Sequence, residues 1–133
     1  IIVDADEAKV HLILNGVSIH SETSAAIYVK SADKTTITLA DGTDNTLSDS
    51  SNYTYDDTDK EEPDAVLFSK DDLSINGNGS LNIEASFNNG ITCKNDLKII
   101  SGTINVTAKN NAIKGKDSLT ITGGTITALQ EAR

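Results

Sequence analysis

Four lysines stand in matching local contexts: Lys30 in Val-Lys-Ser-Ala-Asp, Lys70 in Ser-Lys-Asp-Asp, Lys94 in Cys-Lys-Asn-Asp and Lys116 in Gly-Lys-Asp-Ser. If the contexts are successive turns of one repeat, the lysines stack on one outward edge at about 4.8 Å. Like charges at that spacing repel, so something must offset them. Asp33, Asp71, Asn95 and Asp117, followed by Asp72 and Asp96, are placed to do so. One reading is a self-neutralising ladder of exposed ion pairs, each individually weak. The other is a track for an anionic polysaccharide, whose carboxylates recur at nearly the coil spacing and would bind the row as a multivalent array.

The elements that position these residues follow from alternation. Aligning the segments that start at Ala65, Gly90 and Ala112 puts Leu67, Ile91 and Ile113 in one column. Leu73, Leu97 and Leu119 form a second column, and Ile75, Ile99 and Ile121 a third. Corners at Asn76-Gly77, Ser101-Gly102 and Gly123-Gly124 come next, then Leu81-Asn-Ile83, Ile104-Asn-Val106 and Ile126-Thr-Ala128. Apolar and polar residues alternate with period 2, the signature of strands, and no segment shows the i, i+3, i+4 spacing of a helix. Short strands in repeats of about 22 to 24 residues cannot bury their inner faces alone, but stacked coils can. The expected fold is an all-β right-handed parallel β-helix, a single β-solenoid domain over residues 1–133. An earlier coil runs through Val10 to Ile19, Ala26 to Lys30 and Thr36 to Leu39. The step from Lys30 to Lys70 is too long for one coil, which predicts an acidic loop insertion at about 41–64 carrying Tyr53, Tyr55 and the single proline, Pro63.

Composition narrows the partners. Twenty acidic against eleven basic residues give a net charge of −9, which disfavours nucleic acid and anionic lipid. Aromatics are only 4%, and small branched residues suit a narrow interior. The single cysteine, Cys93, cannot form an internal disulfide and reads as a small core residue. The sequence begins at Ile1 and shows neither a signal peptide nor an apolar run of spanning length, so a portion of a longer protein is expected.

Several stretches together resemble a known family: LILNGVSI ending at Ile19, AAIYVKSADKTTITLADGT from Ala25, the SSNYTYDD loop, SKDDLSING, and GKDSLTITGGTI. They are similar to clostridial cell-surface proteins of a carbohydrate-binding domain family, over nearly the whole chain. The resemblance implies a polysaccharide-lyase-like parallel β-helix, an extracellular or cell-surface location, calcium as cofactor, and cellulose or polygalacturonate as the polysaccharide partner. Family members continue through further coils at both ends, so any site built there does not carry over.

Calcium takes six to eight oxygen ligands, and a solenoid can stack Asp and Asn at repeated corners to supply them. Candidate ligands are Asp71, Asp72, Asn95, Asp96 and Asp117 at one corner, and a column of Asp64, Asn89 and Asn111. For Asn89 and Asn111 a metal-free asparagine ladder serves equally. Asp56, Asp57 and Asp59 in the insertion are another acidic set, or a solvated loop. Tyr28 and Phe68 alternate outward on neighbouring coils and form either a small sugar platform or a patch covered by the insertion. Tyr53 and Tyr55 are its anchors or sugar contacts. Catalysis has thin support: the sole arginine, Arg133, is terminal, and His11 and His20 have no nucleophile arranged beside them. A carbohydrate-binding module leads the expectations, ahead of a fibre-forming solenoid with end-to-end self-association and a polysaccharide lyase.

Overall fold

The computed structural model of the chain describes residues 1–55 and 62–130. Among the described residues, fifteen strands, labelled in chain order, form three parallel five-stranded sheets, and there is no helix. The first sheet stacks β1 (Ile2–Asp4), β4 (Ile27–Ser31), β7 (Ala65–Ser69), β10 (Asn89–Cys93) and β13 (Ile113–Gly115). The second stacks β2 (Lys9–Leu14), β5 (Lys34–Leu39), β8 (Asp72–Gly77), β11 (Asp96–Ile99) and β14 (Ser118–Ile121). The third stacks β3 (Ser18–Ser21), β6 (Asp44–Asp49), β9 (Ser80–Ala85), β12 (Thr103–Ala108) and β15 (Thr125–Gln130). One strand from each sheet makes a coil, so the molecule is a β-solenoid of five turns.

The register reproduces the apolar columns. Leu67 pairs with Ile91 and Ile91 with Ile113; Leu73 with Leu97 and Leu97 with Leu119; Ile75 with Ile99 and Ile99 with Ile121. Leu67, Leu73, Ile75, Ile91, Leu97 and Ile99 are fully buried, and removing each such side chain from water contributes roughly 1.5–3 kcal/mol. Cys93 joins this core at 0% exposure, where burial pushes its thiol pKa up to about 11. The corner after β8 depends on glycine. Gly77 has φ +96°, and a Cβ there would meet the Leu39 carbonyl oxygen at 2.1 Å.

Two boundaries differ from the sequence reading. The coil does not break at residue 41: β6 is a full strand between β3 and β9, so the excursion begins only at residue 50. Its inward positions carry Asn45, Leu47 and Asp49 instead of three apolar residues, at 0%, 0% and 3% exposure. Asn45 is tolerated inside because its Oδ1 accepts the Gly16 and Val17 N–H groups at 2.8 and 3.0 Å, while its Nδ2 donates to the Ser80 carbonyl at 3.1 Å. The second difference is in the expected Asp64, Asn89, Asn111 column, where Asn89 pairs with Ala65 instead of Asp64. The same offset of β7 on β10 pairs Leu67 with Ile91, so Asp64 falls one residue before that column.

Candidate functional site

The site lies where the first sheet turns into the second. Val29 pairs with Ser69, Ser69 with Cys93, and Cys93 with Gly115. The next residues along the chain are Lys30, Lys70, Lys94 and Lys116, and the register therefore puts them in line along the solenoid axis. Backbone bonds hold the alignment: the N–H groups of Lys70, Lys94 and Lys116 donate to Val29, Ser69 and Cys93 carbonyls at 3.0, 2.9 and 2.8 Å.

Three of these charges meet groups other than the corner carboxylates. The Nζ atoms of Lys30 and Lys70 lie 5.9 and 6.0 Å from the centre of the Tyr28 ring, a cation–π arrangement. Lys94 Nζ forms an ion pair with Glu62 Oε2 at 2.5 Å. Asp71 Oδ2 instead accepts the Ala32 N–H at 2.9 Å, and Asp72 Oδ1 accepts the Asp96 N–H at 3.2 Å, so both carboxylates brace neighbouring coils.

Tyr28 and Phe68 are not a sugar platform. They are 6% and 1% exposed, pack edge-to-face at 5.6 Å, and form with Ala25 and Ala65 a small second core outside the coil interior. Tyr53 and Tyr55 anchor the insertion. Tyr53 Oη donates to Asp49 and to the Ala65 carbonyl at 3.2 Å, and Tyr55 Oη donates to the Pro63 carbonyl at 2.9 Å. The Tyr53 ring stacks on Phe87 at 4.1 Å with an interplanar angle of 10°. Phe87, missed in the sequence, sits in a turn where no periodicity marks it. Asp49 closes the arrangement by accepting the Ser86 N–H at 2.7 Å; its burial raises its pKa, against the lowering effect of these hydrogen bonds. The same hydrogen bond and burial raise that of Tyr53, with burial the larger cause.

Beside the lysine row, on the far side of the corner, is an open groove of about 670 Å³ lined by Asp6, Glu7, Asp33, Asp71, Asp72 and Asn95, among others. Three expected calcium ligands, Asp71, Asp72 and Asn95, meet there. Two others do not join them: Asp96 accepts the Ser118 hydroxyl at 2.8 Å, and Asp117 lies exposed on the last coil. Asn89 is excluded as a ligand. It is 1% exposed, its Oδ1 takes the Asn111 N–H at 3.0 Å, and its Nδ2 donates to Thr92 Oγ1 at 3.2 Å, so both ends are engaged within the fold. Asn111 contributes that N–H and is otherwise exposed. Asp64 is half-buried with Oδ1 unpartnered; burial raises its pKa, opposed by the Lys114 charge. Asp56, Asp57, Asp59 and Arg133 lie outside the described residues. Among the described residues, no three His, Cys, Asp or Glu side chains converge closely enough to enclose a metal ion. The groove's side-chain donors are nevertheless oxygens, the donor type a hard cation takes. His11 and His20 sit exposed on different sheets, bonded to Thr38 Oγ1 at 2.6 Å and Ser48 Oγ at 2.8 Å.

A family model described as carbohydrate-binding domain-containing protein matches residues 1–132. The chain belongs to that family. A carbohydrate-binding domain-containing protein of Acetivibrio thermocellus is 50% identical over 109 residues, covering 81% of this chain and 38% of the relative. A solved structure, the gadolinium derivative of a polysaccharide lyase-like protein from C. thermocellum, superposes with a TM-score of 0.82 at 39% identity. The match covers 94% of this chain and 62% of that one. The chain thus spans about two fifths of the curated relative and three fifths of the structural neighbour.

Proposed function

We propose that this chain is an extracellular carbohydrate-binding module that takes an acidic plant cell-wall polysaccharide along the lysine edge, with the glycan running parallel to the solenoid axis. The observation that carries this reading is the register alignment of Lys30, Lys70, Lys94 and Lys116. A polyuronate repeats its carboxylate at nearly the coil spacing, so one bound residue positions the next, and each further contact forms at high effective concentration. Exposed ion pairs contribute about 0.2–1 kcal/mol each. Three together favour an acidic over a neutral chain by roughly 0.6–3 kcal/mol, or about three- to 150-fold.

Calcium is the proposed cofactor of this binding. Asp71, Asp72 and Asn95, with Asp6, Glu7 and Asp33 across the groove, would hold it, and the ion would supply positive charge for a glycan carboxylate beside the lysines. Because the groove carboxylates are not gathered into a closed cage, the glycan's own oxygens complete the ligand set in this reading. Titration of polygalacturonate and of a cellulose oligomer, each with calcium and with chelator, tests it. Calcium-dependent binding of the acidic chain is expected. Equal affinity for both chains, unchanged by chelator, would overturn the lysine-edge and calcium assignments together.

A second reading is end-to-end self-association. Leu119, Ile121 and Leu129 are 42%, 51% and 57% exposed, and Leu119 and Ile121 continue columns that are fully buried one coil earlier. Such columns are a template either for a further coil or for a second copy. Cleavage by β-elimination is the third reading, tested by the ultraviolet absorbance of unsaturated uronate products with calcium present; the binding account expects none.

A further inference from the structure

We propose that Glu62 sets how strongly the lysine edge prefers acidic glycans, acting as an internal carboxylate that an incoming uronate must displace from Lys94. This rests on the lysine-edge reading of the function. Lys94 stands between Lys70 and Lys116 in the column, so a polyanion spanning the row reaches it. Its ion pair with Glu62, at 2.5 Å, is half-buried, with side-chain exposures of 37% and 30%. Such a contact is screened less than an open surface pair.

The position of Glu62 is fixed by its C-terminal neighbours, Pro63 and Ala65. Pro63 receives the Tyr55 hydroxyl through its carbonyl at 2.9 Å, and Ala65 receives that of Tyr53 at 3.2 Å. The carboxylate is therefore presented to Lys94 from an anchored segment, at an effective concentration that a free uronate does not match. A cleft of about 220 Å³ opens beside the pair, walled by Asp64, Thr92, Lys94, Lys114 and Lys116 with Glu62 itself. It offers space for a displacing carboxylate, with two further ammonium groups on its walls. A ligand that engages Lys94 alone exchanges one carboxylate for another and gains little. One that engages Lys70 and Lys116 at the same time makes several such contacts from one chain, so the device selects dense polyanions over isolated uronates.

The test is titration of polygalacturonate, and of a neutral glucan, into wild type, Glu62→Gln, Glu84→Gln and Lys94→Ala, with thermal unfolding confirming that each variant is folded. Glu84 is an exposed acid on another sheet and serves as the charge control. Glu62→Gln is expected to bind the acidic chain about two- to fivefold tighter with a steeper salt dependence, the neutral chain being unaffected and Glu84→Gln matching wild type. In the Lys94→Ala background the Glu62 effect should vanish. Unchanged or weaker binding by Glu62→Gln overturns the proposal. If Lys70→Ala and Lys116→Ala weaken binding while Glu62→Gln changes nothing, this inference alone falls. If those lysine variants change nothing, or if neither wild type nor Glu62→Gln binds the acidic chain, the lysine-edge reading falls with it.

Discussion

Asp49→Ala tests whether the insertion is held in place by a buried carboxylate. Asp49 is 3% exposed; one oxygen accepts the Ser86 N–H at 2.7 Å and the other the Tyr53 hydroxyl. Truncation leaves the Ser86 N–H without its acceptor and the Tyr53 hydroxyl with only the 3.2 Å bond to Ala65. Hydrogen bonds to a charged group contribute about 1.5–3 kcal/mol each, and removing a buried charge returns part of that. The net expected loss is about 2–4 kcal/mol. At roughly 3–5 °C per kcal/mol for a domain of this size, thermal unfolding followed by far-ultraviolet circular dichroism should show a fall in Tm of about 6–20 °C. Asp49→Asn keeps an acceptor for Ser86 and removes the charge, so it should stay within about 1 kcal/mol of wild type. Burial raises the Asp49 pKa above 3.8 in the fold, so its contribution is largest below the unfolded value and is lost as pH rises through the folded one. Wild type should therefore gain stability relative to Asp49→Asn on acidification through that window. A Tm for Asp49→Ala within about 2 °C of wild type would refute the tether.

Asp64→Asn should likewise flatten the gain on acidification, because burial also raises the Asp64 pKa; identical pH profiles for variant and wild type would contradict this. Gly77→Ala combines a φ of +96° with a Cβ 2.1 Å from the Leu39 carbonyl oxygen, and should cost about 3 kcal/mol or more in denaturant unfolding. A loss below about 1 kcal/mol would show that the corner can shift. If the last coil pairs end to end, particle length in solution scattering should grow with concentration, and replacing Leu119 and Ile121 by Asp should abolish that growth. Concentration-independent scattering from the wild type would rule the pairing out over the range tested.

The repeat is legible because the solenoid interior imposes one constraint on every coil. Leu73, Leu97 and Leu119 occupy one column since each must fill the same slot, and the lysines inherit their alignment from that register. Where the interior accepts polar residues the pattern fails. Asn45 and Asp49 sit inward in β6, satisfied by Gly16, Val17 and Ser86 N–H groups contributed by other coils, and the strand reads as loop. Loop paths are not periodic, which is why the Glu62 contact to Lys94 and the stacking of Phe87 on Tyr53 have no sequence signal. Tyr28 and Phe68 do alternate outward, but outward from a coil is not outward to solvent when a second cluster forms on its outer face. Of the expected calcium ligands, Asp71, Asp72 and Asn95 meet in one groove because four coils contribute their first corner to it; Asn89 is not among them because it sits buried at the start of β10, over Ala65, with its side chain hydrogen-bonded to Asn111 and Thr92.

The most direct test of the lysine edge is the affinity of polygalacturonate, with calcium present, for wild type and for a variant carrying Lys70→Ala, Lys94→Ala and Lys116→Ala, alongside a cellulose oligomer. The account predicts a loss of about three- to 150-fold for the acidic chain, diminishing as salt is raised, and no change for the neutral one. An equal loss on both chains, or none on the acidic chain, would contradict it.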